Sequence, residues 1–133
     1  CDVYVAGVSE AVHAVGDHEV TCTPRCDFAE LLPRARVFVH HGGQNSMMDS
    51  LSYEVPQVIV PGCVFERQFN AEAVENARCG LTVRASKPTL IARAARTLVD
   101  EPALTSGIRG VRAELSSLGG GARIVREVEE LVG

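Results

Sequence analysis

Residues 36–46, Arg36-Val-Phe-Val-His40-His41-Gly42-Gly43-Gln44-Asn45-Ser46, pass from a strand-like apolar run through a glycine pair into polar residues. A helix that starts directly after a strand presents free backbone N–H groups and a positive dipole end at the carboxyl edge of the sheet. Glycines there let a ligand approach the backbone without a Cβ in the way. The combination is an anion site suited to phosphate. Asn45 and Ser46 add side-chain donors, and His41 adds a ring N–H, while His40 at the strand end is expected to serve chiefly in packing. The plainer alternative is a tight strand-to-helix turn in which Asn45 or Ser46 is only an N-cap. Neither a G-x-G-x-x-G fingerprint nor a P-loop is present, since no Gly-Lys-Ser/Thr follows.

Working outward, Asp49 lies about one helical turn beyond Ser46, where a carboxylate can face the same sheet edge and accept bonds from ribose hydroxyls. First-turn helix-dipole stabilisation would equally explain it. The next strand ends in Pro61-Gly-Cys-Val-Phe-Glu66-Arg67-Gln68-Phe-Asn70-Ala71, a second loop at that edge. Glu66, Arg67 and Gln68 at its tip suit a sugar's hydroxyls, or simply a solvated helix start.

The same alternation runs through most of the chain. Strands are expected at residues 2–6, 19–22, 36–40, 57–61 and 81–84, with the third and fourth apolar enough to be covered on both faces. Helices are expected at 28–32, 46–53 and 68–78, giving an α/β fold with a Rossmann-like parallel sheet and helices on both faces. The last third is helical. Pro88 opens a helix to about residue 99 with Leu90, Ile91, Ala94, Ala95 and Leu98 on one face. A second helix, 103–118, is interrupted near Gly107–Gly110, and a triple glycine precedes a third, 122–131, with Ile124, Val125, Val128 and Leu131 on one stripe. Residues 1–133 are read as one domain.

The 133 residues suffice for a real core, and a hydrophobic fraction of 46% is ordinary for a globular protein. A formal net charge of −4 offers no electrostatic footprint for nucleic acid or an anionic membrane. Phosphates must therefore be held by local geometry. The five cysteines are irregularly spaced without a Cys-x-x-Cys pair, which argues against zinc and for reduced thiols in the cytoplasm. No signal peptide or membrane-length apolar run is found. The chain starts at Cys1 on a strand-like run, which suggests a fragment.

Read together, His41-Gly-Gly-Gln-Asn-Ser46, Asp49, Glu54-Val55-Pro56, Pro61, Glu66 and Asn70-Ala71 resemble the C-terminal, donor-binding domain of the GT-B glycosyltransferases of the UDP-glycosyltransferase superfamily. The resemblance spans nearly the whole chain and is strongest to bacterial enzymes that glycosylate lipids or natural products. It implies that His41, Gly42, Gly43, Asn45 and Ser46 hold the diphosphate of a UDP- or TDP-sugar. It places Asp49 at the ribose, Thr23 and Pro24 in the loop over the base, and Glu66 and Arg67 at the donor sugar. Three departures stand out: the chain has no tryptophan to stack on the base, Gln44 replaces a frequent aromatic or methionine, and Arg67 stands where glutamine is usual.

The resemblance further implies an inverting hexosyltransferase whose catalytic base and acceptor pocket, for a small molecule or lipid, belong to an N-terminal domain. No catalytic residue is then expected in this fragment, no metal or other cofactor, and no activity from the isolated chain. Membrane association would come through the missing part. The first βα unit of the donor domain is also expected to be missing, supplied from upstream or by a complementary subunit. His13 and His18 are expected on a short surface connection. A nucleotide-sugar-binding subunit of a split complex and a sugar-nucleotide 2-epimerase are the rival readings.

Overall fold

The computed structural model describes residues 3–133, so Cys1 and Asp2, the first residue of the expected 2–6 strand, lie outside the described residues. The chain divides into two compact units, residues 1–31 and 32–133.

In the first unit, β1 (Val3–Ala6), β2 (Ala11–Val15) and β3 (His18–Thr23) form a three-stranded sheet in the order β1-β3-β2. β1 runs parallel to β3, whereas β2 and β3 are an antiparallel hairpin in which Val15 faces His18. The antiparallel strand β2 is additional to the expected strands, and one expectation is corrected: His13 and His18, both exposed, lie on paired strands rather than on a connection. The cause is the Gly16-Asp17 pair. Gly16 at φ +62° takes the first central position of a two-residue turn, a conformation matched to the twist of the flanking strands. A short helix α1 (Phe28–Leu31) closes the unit.

The second unit carries the expected α/β alternation. β4 (Phe38–His40), β5 (Gln57–Ile59) and β6 (Gly80–Thr82) form a parallel sheet in that order, joined through α2 (Gln44–Ser52) and α3 (Phe65–Asn76). Alternate residues of the central strand β5 enter two different cores, as the two-residue period of a strand requires. Ile59 packs with Leu51 of α2, Ala71 and Val74 of α3, Cys79, and Ile108 of α5 (Ile108–Ser117). Val58 packs on the opposite side with Val83 and with Leu98, Ile91, Ala94 and Ala95 of α4 (Pro88–Asp100). Helices therefore cover both faces of β5. β4 departs from the expected two-sided cover: it is an edge strand of its sheet, and Val39 is 42% exposed.

The interruption expected near Gly107–Gly110 occurs at Ser106-Gly107, between a 3-10 turn (Pro102–Thr105) and α5. A Cβ on Gly107 would lie 1.8 Å from the Ala77 carbonyl oxygen, so only glycine lets this turn sit on the end of α3. The last helix, α6 (Gly120–Val132), starts two residues early, with Gly119 at φ +76° as its N-cap. Its apolar stripe is present and uncovered, with Ile124, Val125, Val128 and Leu131 all exposed.

Candidate phosphate-facing site

α2 begins at Gln44, two residues earlier than expected, with Gly43 as N-cap. The first helical bond runs from Met47 N–H to the Gly43 carbonyl, at 3.0 Å. The amides of Gln44, Asn45 and Ser46 are thus the orphan donors of the helix end. No side chain caps them. The alternative in which Asn45 or Ser46 is an N-cap is thereby corrected: both lie inside the first turn.

These residues open onto a concavity of about 450 Å³ lined by His41, Gly43, Gln44, Asn45, Ser46 and Glu66. The ring of His41 leans over Gly43, since a Cβ there would meet its Nε2 at 2.7 Å. Glu66 stands in the first turn of α3, which begins at Phe65 rather than Gln68. Phosphates would be drawn to the α2 end by the dipole and kept from the Glu66 carboxylate by like charge, leaving that carboxylate to accept from hydroxyls.

Gly42 lies behind this wall. It adopts φ +90°, and a Cβ would meet Ile59 Cγ2 at 2.7 Å and the Arg67 carbonyl oxygen at 3.2 Å. Its N–H donates to His40 Nδ1 at 3.0 Å, and its carbonyl accepts from Asn70 Nδ2 at 2.9 Å. Because Nδ1 accepts, the proton of neutral His40 is on Nε2, which donates to Gln57 Oε1 at 2.9 Å. Burial is the main cause that pushes the His40 pKa down; the Gln57 bond opposes it and nearby His41 adds to it. The network leaves one group unmatched. Gln57 is fully buried, and its Nε2 has no hydrogen-bond partner in the protein. Such an orphan costs about 1–3 kcal/mol. Turning the amide over would set its NH₂ against the His40 Nε2–H, so the arrangement persists.

Of the expected site residues, the structure brings His41, Gly43, Asn45, Ser46 and Glu66 together around one concavity. Gly42 and the Arg67 backbone support it from behind. Asp49, half-buried one turn further along α2, and the Arg67 side chain do not line it. Thr23 and Pro24 belong to the first unit, where the Thr23 hydroxyl donates to the Arg25 carbonyl and the Thr23 carbonyl accepts from Gly7 N–H. Sequence reasoning missed three participants. Gln44 carries no site signal in the sequence, where the helix is expected to start two residues later. Gln57 and Asn70 carried a signal in being polar residues at buried positions, the informative exception in an apolar pattern. Among the described residues no three His, Cys, Asp or Glu side chains are grouped to hold a metal ion. Nor is any helix among them long and apolar enough to cross a membrane.

A family model for the "Erythromycin biosynthesis protein CIII-like, C-terminal domain" matches residues 6–131. The chain is 26% identical over 102 residues to the NDP-glycosyltransferase YjiC of Bacillus subtilis, covering 75% of this chain and 26% of that protein. It is 33% identical over 90 residues to the elloramycin glycosyltransferase ElmGT of Streptomyces olivaceus, covering 68% of this chain and 22% of that protein. Among solved structures, the glycosyltransferase SsfS6 of Streptomyces sp. SF2575, complexed with thymidine diphosphate, superposes with a TM-score of 0.70 at 32% identity. That match covers 84% of this chain and 30% of SsfS6. The chain thus spans about a quarter of these curated relatives, 26% and 22%.

Proposed function

This chain belongs to the erythromycin biosynthesis protein CIII-like C-terminal domain family, and from that premise we propose that its Gly42–Ser46 turn grips the diphosphate of a UDP- or TDP-sugar for transfer to an acceptor hydroxyl. The observation that carries this is that Gln44, Asn45 and Ser46, whose amides no side chain caps, line the same concavity as His41 and Glu66. In an inverting transfer the acceptor oxygen attacks the anomeric carbon while the nucleoside diphosphate departs. The contribution of this domain is to position the donor and to meet the charge growing on the diphosphate with donors already fixed in place. The base that takes the acceptor proton, and the acceptor pocket, would lie outside these 133 residues.

Within the site, His41 and the amides of Gly43, Asn45 and Ser46 take the phosphates, and Gln44 joins them. Glu66 accepts from the donor sugar, with Arg67 beside it. Asp49, one turn further along α2 and outside the concavity, takes the ribose. TDP is favoured as a probe by the thymidine diphosphate held by the similar SsfS6. Amide chemical-shift mapping separates the phosphate contribution from the base. TDP should shift the Gly43–Ser46 amides and thymidine alone should not. Equal shifts with thymidine, or none with TDP, would contradict the assignment.

A further inference from the structure

We propose that buried His40, held by Gln57, is a positioning residue for the diphosphate turn, acting through Gly42 by a ring nitrogen that must remain unprotonated. This rests on the diphosphate reading above and adds the means by which the turn keeps its shape. Gly42 and Gly43 link the strand-end histidines to the first turn of α2, and Gly42 is the one of the two gripped by His40 and Asn70. Both of its backbone polar groups are taken by side chains from behind: its N–H by His40 Nδ1 and its carbonyl by Asn70. Its φ of +90° and its close approach to Ile59 leave it no room to relax backward.

The tautomer is selected from the opposite side. Gln57 Oε1 accepts from His40 Nε2, which keeps the proton there and the lone pair on Nδ1. Gln57 is itself seated by Gly80 on the adjacent strand, where a Cβ would lie 2.8 Å from Gln57 Cγ. The chain of contact therefore runs from β6 through Gln57 and His40 to Gly42. A residue kept only for packing would require neither an acceptor at Nδ1 nor an amide partner that leaves its own Nε2 unmatched. An apolar ring or branched chain would fill the same space.

The test separates an acceptor from a filler. His40→Leu keeps an apolar side chain and removes the acceptor, whereas His40→Asn places an amide oxygen close to where Nδ1 was. In calorimetric titrations of the full chain with TDP and UDP, His40→Leu should lose at least about tenfold in affinity, equivalent to about 1.4 kcal/mol. His40→Asn should recover most of it, although it leaves Gln57 Oε1 unmatched and is the less stable for that. Nitrogen-15 spectra of the free wild-type protein should show the His40 ring protonated on Nε2 alone. Wild-type affinity in folded His40→Leu, equal losses in both variants, or a ring protonated on Nδ1 would overturn the inference while the diphosphate reading stands. If His40→Leu does not fold, the ring spectrum and the affinity of His40→Asn decide. Absence of TDP and UDP binding by the wild type would remove the diphosphate reading and this inference with it.

Discussion

Two adjacent histidines with the same side chain have opposite assignments, and the backbone decides between them. His41 is exposed and faces the concavity, whereas His40 is 9% exposed and turned into the protein. The alternation of a strand end makes that difference legible in the sequence. The Gly42 bond was not legible, because it depends on a positive φ that sequence alone does not place. His40 also predicts a response to acid. Its pKa is lowered by burial from the usual 6.5, so the folded protein binds that proton more weakly than the unfolded chain does. The stabilisation it confers is complete above 6.5 and is lost as pH falls from there through the lowered value. Chemical denaturation followed across that interval should show stability falling, with a shallower slope in His40→Asn. Identical slopes in the two proteins would contradict the assignment.

The elements differ in how far their sequences declare them. α4 is legible from its Pro88 start and its apolar face: Ile91, Ala94, Ala95 and Leu98 pack with Val58 and Val83, while Leu90 of the expected face is exposed. The β2–β3 hairpin was not recognised, although Gly16-Asp17 between β-branched runs is a recognised hairpin signal. The strand–helix alternation elsewhere outweighed it. α2 and α3 start earlier than their sequences declare because neither has a side-chain N-cap; Gly43 and Val64 occupy those positions. Two substitutions probe the connections around β6. Arg78, at φ +52°, occupies the left-handed region, which costs a non-glycine residue about 1–2 kcal/mol. Against glycine's entropic cost of about 0.5–1 kcal/mol, Arg78→Gly should gain roughly 0.5–1 kcal/mol in a denaturation midpoint. Gly80→Ala should do the reverse, because its Cβ would lie 2.1 Å from the Gln57 carbonyl oxygen. A loss of about 1–3 kcal/mol is expected from such overpacking. Stability unchanged in both proteins would contradict these backbone assignments.

For the whole molecule, the composition was informative mainly in what it denied. A net charge of −4 leaves the proposed phosphate binding to the fixed donors of one turn. The chain has no Asp-x-Asp pair to carry a divalent cation on the leaving diphosphate. We therefore propose that nucleotide binding, and transfer by the complete enzyme, persist in excess EDTA. A loss of about tenfold or more on chelation, restored by magnesium, would show that a cation shares the charge that the α2 terminus is proposed to carry. The proposed division of labour also predicts that these 133 residues alone bind nucleoside diphosphate without transferring sugar. The most direct test of the central claim is calorimetric titration of TDP and UDP into the wild-type protein and His41→Ala. The account predicts saturable wild-type binding, weakened about tenfold or more in the folded variant by loss of a charge-assisted bond worth ~1.5–3 kcal/mol. Unchanged affinity in His41→Ala, or no binding by the wild type, would contradict it.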